Sequence, residues 1–214
     1  MVKRSGPKDP EKERRILDAA IANFAKDGYQ NAKTDQIAEQ ADVSKGLVFH
    51  YFGSKAKLYV TAVQASYDRL IEMADLSVWQ DAPDLKSMIL RATKYKIQMQ
   101  IDHPAEFGLS MAAYADLGHL PPTVQEQVRH IWNSEMTAMV PSMIDPVIDR
   151  LNLRPGVKPA TVQKLMTAMT MLIGEDAKAL IQNNPDITIS EMGTVIHEVE
   201  DYIDILEHGF LADT

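Results

Sequence analysis

Two groups of residues in this chain have types and spacings that point to chemistry. The first is the run Ser44, Lys45, Gly46, Leu47, Phe49, His50, Tyr51 and Lys55. It places cations, hydrogen-bonding groups and large apolar side chains on one short segment. Lys45 and Lys55 suit phosphates or base edges. Leu47 and Phe49, if exposed on a helix, need something apolar to meet, and the thymine methyls of a DNA major groove fit. The second group is His197, Asp201, Asp204 and His208, at steps of four, three and four. That spacing lines four side chains of metal-ligating type along one helix face. The opposite face carries the apolar stripe Val195, Val199, Tyr202, Ile203, Leu206 and Phe210, so the His and Asp face is expected to be solvated and no metal is expected on it. The sequence holds no nucleophile with an adjacent base and no phosphate-cradling glycine loop. No enzyme and no cofactor are therefore expected.

The elements that must position the first group follow from periodicity and punctuation. Strand-like alternation is nearly absent, and apolar residues recur at steps of three and four, which predicts an all-α chain. Asp9 is placed to cap a first helix, with Pro10 at its first position and Ile16, Leu17, Ala20 and Phe24 on its buried face. Gly28 is expected to end it in the left-handed conformation. Thr34 is expected to cap a short second helix over residues 34–41, and Ser44 a short third over residues 45–51. Ser54 is placed to cap a fourth that starts at Lys55. Helices this short cannot stand alone. Ile37, Ala38, Val43, Val48 and Phe52 therefore point inward, leaving Lys45, Gly46, Leu47, Phe49 and His50 outward. This is a three-helix helix-turn-helix head over residues 1–58. The remainder, residues 59–214, reads as a body of longer helices. One opens at Pro83 and one at Pro104. A long one from Thr123 is expected to kink or break at Pro141 and Pro146. Another runs from Pro159 to near Asn184. The last runs from a capping box of Thr188 and Glu191 to Gly209.

Charge separates the same two regions. The chain of 214 residues carries a net charge of −8, which alone argues against a nucleic-acid partner. Residues 1–58, however, hold 11 Lys and Arg against 8 Asp and Glu, whereas the rest holds 11 against 22. Such asymmetry points to a nucleic-acid-binding segment. There is no cysteine, which excludes disulfides and thiolate metal sites and suits a reducing compartment. No apolar run follows the basic N-terminus and none reaches membrane-spanning length, so a cytoplasmic protein without a membrane partner is expected.

Several runs carry a family resemblance: Ile16-Leu17-Asp18-Ala19-Ala20, Phe24, Gly28-Tyr29, Ile37-Ala38, Val43-Ser44-Lys45-Gly46 and His50-Tyr51-Phe52-Gly53-Ser54-Lys55. Over about residues 12–60 the chain resembles the TetR family of bacterial transcriptional regulators. The resemblance implies an Ω-shaped homodimer with a DNA-reading head and a ligand-binding body on each chain. It also implies a repressor that leaves its operator when a small molecule binds. Carried over by position, Thr34 and Ser44 meet phosphates at helix N-termini, Lys45 and Leu47 contact bases, and Gly46 allows close approach. His50 and Tyr51 grip the backbone, and Lys55 holds a phosphate. Lys3 and Arg4 either reach the minor groove or form a solvated tail. Two positions depart from the family pattern. Phe49 stands where Tyr is more common, which removes a hydroxyl. Asp42 stands where the turn usually has Gly, which adds a negative charge near DNA.

In the body, the segment 165–173 is apolar nearly all round, which implies burial on two sides. With the last helix it is expected to form a dimer seam containing Leu165, Met169, Leu172, Val199, Tyr202, Ile203, Leu206 and Phe210. A larger monomeric core is the other reading. Tyr95, Met99, Phe107, Met111, Tyr114, Trp132 and Met136 are expected to line a pocket for a small apolar or amphipathic ligand, the plainer reading being ordinary core. An architectural or protein-interacting DNA-binding protein without a small-molecule inducer is the alternative to the ligand-released repressor.

Overall fold

The computed structural model describes residues 9–184 and 187–208, apart from some side chains inside the helices, Tyr114, Glu135 and Met136 among them. Helices are the only regular structure among the described residues. None of them is long and apolar enough to cross a membrane. The chain forms two compact units. One takes in the chain up to Ala74 together with Pro104–Met136. The other takes in Asp75–His103 and the chain from Thr137 onward.

The first unit begins with α1 (Pro10–Asn31), whose N-terminus is capped by the Asp9 carboxylate accepting from the Glu11 N–H. Gly28 interrupts α1 with φ 70° and ψ 175°. That is not the left-handed cap expected from the sequence but an extended mirror-image conformation essentially restricted to glycine, and one more helical turn follows it. Next come α2 (Thr34–Gln40), α3 (Lys45–Phe52) and α4 (Lys55–Glu72). Ser44 caps α3 by accepting from the Leu47 N–H, and Ser54 caps α4 by accepting from the Lys57 N–H. At α2 the capping position is Lys33 and Thr34 is the first helical residue, with no side-chain cap. The expected Thr34 cap is therefore corrected by one residue. The unit is completed by α7 (Pro104–Ala115) and the beginning of α8 (Pro122–Ile148). Its core gathers Ile16, Phe24, Ile37, Val48, Leu58, Tyr59, Leu109 and Val128. Tyr59 meets Phe24 edge-on at 4.9 Å and Tyr29 at 5.0 Å between ring centroids. Arg69 of α4 bonds both Asp18 of α1 and Glu106 of α7, tying three helices together by charge.

The second unit contains α5 (Ser77–Gln80), α6 (Leu85–Asp102), the remainder of α8, α9 (Pro159–Asn183) and α10 (Gly193–His208). Its core includes Trp79, Met88, Ile97, Val147, Met166, Ile173, Val199 and Ile203. The one-turn α5 has no sequence signal at that length, yet it buries Trp79. The helix expected to begin at Pro83 begins at Leu85, capped by Asp84. Of the expected kink or break at Pro141 and Pro146, a break does not occur: α8 runs on through both. At Pro146 the reason is visible. A proline there has no N–H for the Ser142 carbonyl four residues earlier, and the Gln80 side-chain amide donates to that carbonyl instead, at 2.9 Å. Thr188 and Glu191 do bond each other, but around a single 3-10 turn (Ile189–Glu191). The last helix starts after it, at Gly193.

Candidate nucleic-acid interface

The turn between α2 and α3 fixes the geometry of the candidate site. Asp42 has φ 52°. Its N–H donates to the Glu39 carbonyl, and the Val43 N–H donates to the Ala38 carbonyl, both at 3.0 Å. These paired bonds are a Schellman motif, which needs a left-handed residue where Asp42 stands, and Asp tolerates that conformation better than most. Arg15 of α1 reaches the Asp42 carboxylate at 3.3 Å. The departure from glycine is thus conformationally tolerated, and its charge has a cation beside it.

On α3, Val48 and Phe52 are buried as expected, while Ser44, Lys45, Gly46 and His50 are exposed. Leu47 and Phe49 are half-buried, and Leu47 packs partly against the core rather than standing free. Thr34 is half-buried at the start of α2. Lys45 Nζ lies 2.8 Å from Asp35 Oδ2, linking the first turns of α3 and α2.

Two residues expected to grip DNA are engaged inside the protein. Tyr51 is 7% exposed, and its hydroxyl accepts from the Asp9 N–H at 2.7 Å. It fastens the N-terminus of α1 to the end of α3, so its role here is to hold α3 in place. Lys55 donates to the Gln30 carbonyl at 3.1 Å and sits over the Tyr29 ring at 5.2 Å. Burial lowers its pKa from the usual lysine value. Asp35 was not singled out by sequence reasoning, because an acid in the first turn of a helix reads as an ordinary partner for the helix dipole.

The expected ligand-lining residues divide between the two units. Tyr95 and Met99 lie half-buried on α6 in the second, with the Tyr95 ring edge-on to Trp79 at 5.5 Å. Phe107 and Met111 of α7 and Trp132 of α8 lie half-buried in the first. The side chains of Tyr114 and Met136 lie outside the described residues. Nothing in their spacing distinguishes α6, which packs in one unit, from α7, which packs in the other.

The expected dimer seam also divides. Val199 and Ile203 are 0% and 1% exposed and belong to the core of their own unit, so placing them at a seam is corrected. A single apolar stripe on α10 served the chain's own core first. Leu165 and Leu172 are 51% and 52% exposed, as is Ile205 at 45%, which sequence reasoning did not include. Met169, Tyr202 and Leu206 are half-buried, and Phe210 lies outside the described residues. His197, Asp201, Asp204 and His208 are all exposed.

Two short helices locked by a Schellman turn, the second capped by Ser44 and offering Lys45, Gly46 and His50 to solvent, define a helix-turn-helix. Residues 16–62 match the family model described as bacterial regulatory proteins, tetR family. Over those residues the head is similar to that of the TetR family. The chain is 34% identical over 89 residues to the HTH-type transcriptional repressor SCO4008 of Streptomyces coelicolor, covering 41% of this chain and 44% of that one. It is 31% identical over 109 residues to the HTH-type transcriptional regulator RutR of Escherichia coli K12, covering half of each. The chain thus spans half or less of the length of the curated relatives it matches. Solved structures extend the likeness of fold. The fatty acid degradation regulator FadR of Bacillus halodurans aligns with a TM-score of 0.66 at 13% identity, over 99% of this chain and all of that one. The transcriptional regulator FadR of Bacillus subtilis, solved with stearoyl-CoA, aligns at 0.63 and 14% identity, over 93% of this chain and all of that one.

Proposed function

We propose that the protein is a dimeric transcriptional repressor whose head, residues 1–58, reads operator DNA and whose body, residues 59–214, binds a small apolar or amphipathic ligand that releases it. The observation that carries this reading is the capped helix α3, held by the Asp42 turn and by Tyr51, with Lys45 and His50 exposed along it. A major groove admits one such helix. Lys45 and Leu47 contact base edges, and Ser44, Thr34 and His50 meet the backbone. Lys55 reaches a phosphate only by giving up the Gln30 carbonyl.

Palindromic reading needs two heads about 34–36 Å apart. The exposed Leu165, Leu172 and Ile205 supply apolar surface for pairing two chains. The ligand class is supported by the stearoyl-CoA held by one structural neighbour, a molecule with a long apolar chain and a charged end.

Fluorescence anisotropy with the protein's own upstream intergenic duplex and a scrambled one, at several salt concentrations, tests the reading. Preference for the native duplex, at two chains per site, is the expected result. Lys45→Ala should then weaken binding and relax base preference, whereas Lys55→Ala should weaken all duplexes alike and lower the salt slope by about one unit. Equal, steeply salt-dependent binding of both duplexes would favour the architectural alternative.

A further inference from the structure

Lys45 is the first residue of α3, where the positive end of the helix dipole opposes a cation. Asp35 lies in the first turn of α2, where it suits that helix's dipole, but on a head whose proposed partner is a polyanion. Lys45 is thus badly placed for the dipole of its own helix and Asp35 for a DNA partner, yet the two meet at 2.8 Å. Their side chains are 50% and 68% exposed. Ion pairs this exposed contribute little to folding. Oδ2 takes the lysine, and Oδ1 has no partner among the described residues.

We propose that Asp35 and Lys45 form one composite base reader that recognises a G·C pair in the major groove. Lys45 donates to guanine O6 and N7, and Asp35 accepts from the amino group of cytosine. This rests on the operator-reading function proposed above. In the major groove a G·C pair sets the guanine O6 acceptor beside the cytosine N4 donor. A lysine donor held beside a carboxylate acceptor is the complement of that pattern. An A·T pair also offers a donor beside an acceptor, but its thymine gives the ammonium one acceptor where guanine gives two. The pair also enters the groove without net charge, so the acid brings no unmatched repulsion from phosphates.

The test begins with selection by the full-length protein of duplexes from a randomised library. Anisotropy titrations of the selected duplex and all its single base-pair changes follow, with wild type, Asp35→Asn and Lys45→Ala. Both substitutions lie on the surface, and circular dichroism checks the fold. Wild type is expected to select a G·C pair whose change to A·T weakens binding roughly tenfold or more. In both variants that preference should fall to within about threefold, while the preferences at other positions persist. Tighter binding of Asp35→Asn to every duplex, with the G·C preference intact, would overturn the proposal and leave Asp35 as a mere electrostatic brake. An A·T pair at the position that responds to both variants would overturn the base assignment. Selection of no sequence by wild type would overturn operator reading itself, and the composite reader with it. A successful selection with no position sensitive to both variants would overturn the reader alone.

Discussion

The head and the second unit use helices for opposite purposes. In the head, α2 and α3 are 7 and 8 residues long, too short to persist without packing. Every inward position is needed for docking, so Lys45, Gly46 and His50 stand apart from the core, while Leu47 serves both. In the second unit, α9 runs 25 residues and is apolar on much of its surface. It buries Met166 and Ile173 and leaves Leu165 and Leu172 exposed. Short elements thus separate core from function by necessity, whereas a long apolar helix serves a core and an open face with the same residue types.

The sharpest way to break this comparison is to open the head's core. Phe24 is fully buried and edge-on to Tyr59. Phe24→Ala should cost about 3–5 kcal/mol in urea unfolding and abolish DNA binding, because α2 and α3 dock on the core that Phe24 helps to form. A loss below about 1 kcal/mol would show that the head does not depend on that docking. The open face of α9 predicts a different response. Leu165→Glu with Leu172→Glu should leave monomer stability within about 0.5 kcal/mol per site, since surface changes rarely do more. The same double variant should weaken self-association by about 2 kcal/mol or more, through charges buried in a seam. Analytical ultracentrifugation reads the second effect. An unchanged dimer would move the seam elsewhere.

A smaller effect distinguishes the second unit by pH. Lys96 of α6 is half-buried with its amine 5.9 Å from the Trp79 ring centroid. Desolvation lowers its pKa from 10.5 to about 8. Between these values the unfolded chain holds more protons on this group than the folded one. Its contribution to stability therefore rises with pH from about 8 to about 10.5. With its partial exposure, the rise should be about 1–2 kcal/mol. Comparing urea unfolding of wild type and Lys96→Met across that window isolates it. Identical pH slopes would show that the amine is fully hydrated.

The head was legible for a physical reason. Ser44 and Ser54 cap where their types predict, and Val48 and Phe52 are buried as spaced. These are local rules, and local rules survive in short helices. The bonds that hold Tyr51 and Lys55 within the chain are not legible in the sequence, because their partners, Asp9 and Gln30, are 42 and 25 residues away. Spacing along a helix carries no information about such bonds. In the second unit, Val199 and Ile203 carry the right period for an interface, but period alone does not say which surface a stripe meets. At Pro146 the sequence rule counts the missing donor and not the Gln80 amide that replaces it, so the continuity of α8 was not legible there.

Asp42 offers the finest adjustment of the comparison, since it is the one turn residue where the head departs from the family pattern it resembles. Replacing it with glycine relieves the strain of a left-handed side chain but adds freedom to the unfolded chain, and these terms oppose each other. The exposed Arg15–Asp42 pair contributes little. Asp42→Gly should therefore change stability by less than about 1 kcal/mol. Its effect on DNA should have a definite sign. One negative charge leaves the turn and the Arg15 guanidinium is released, so affinity for any duplex should rise a few-fold at low salt, with a salt slope steeper by up to about one. Anisotropy with a random duplex from about 50 to 200 mM salt measures this. If stability instead falls well beyond 1 kcal/mol, the ion pair with Arg15 holds the Schellman turn together. The head would then depend on a charge contact that no local rule predicts.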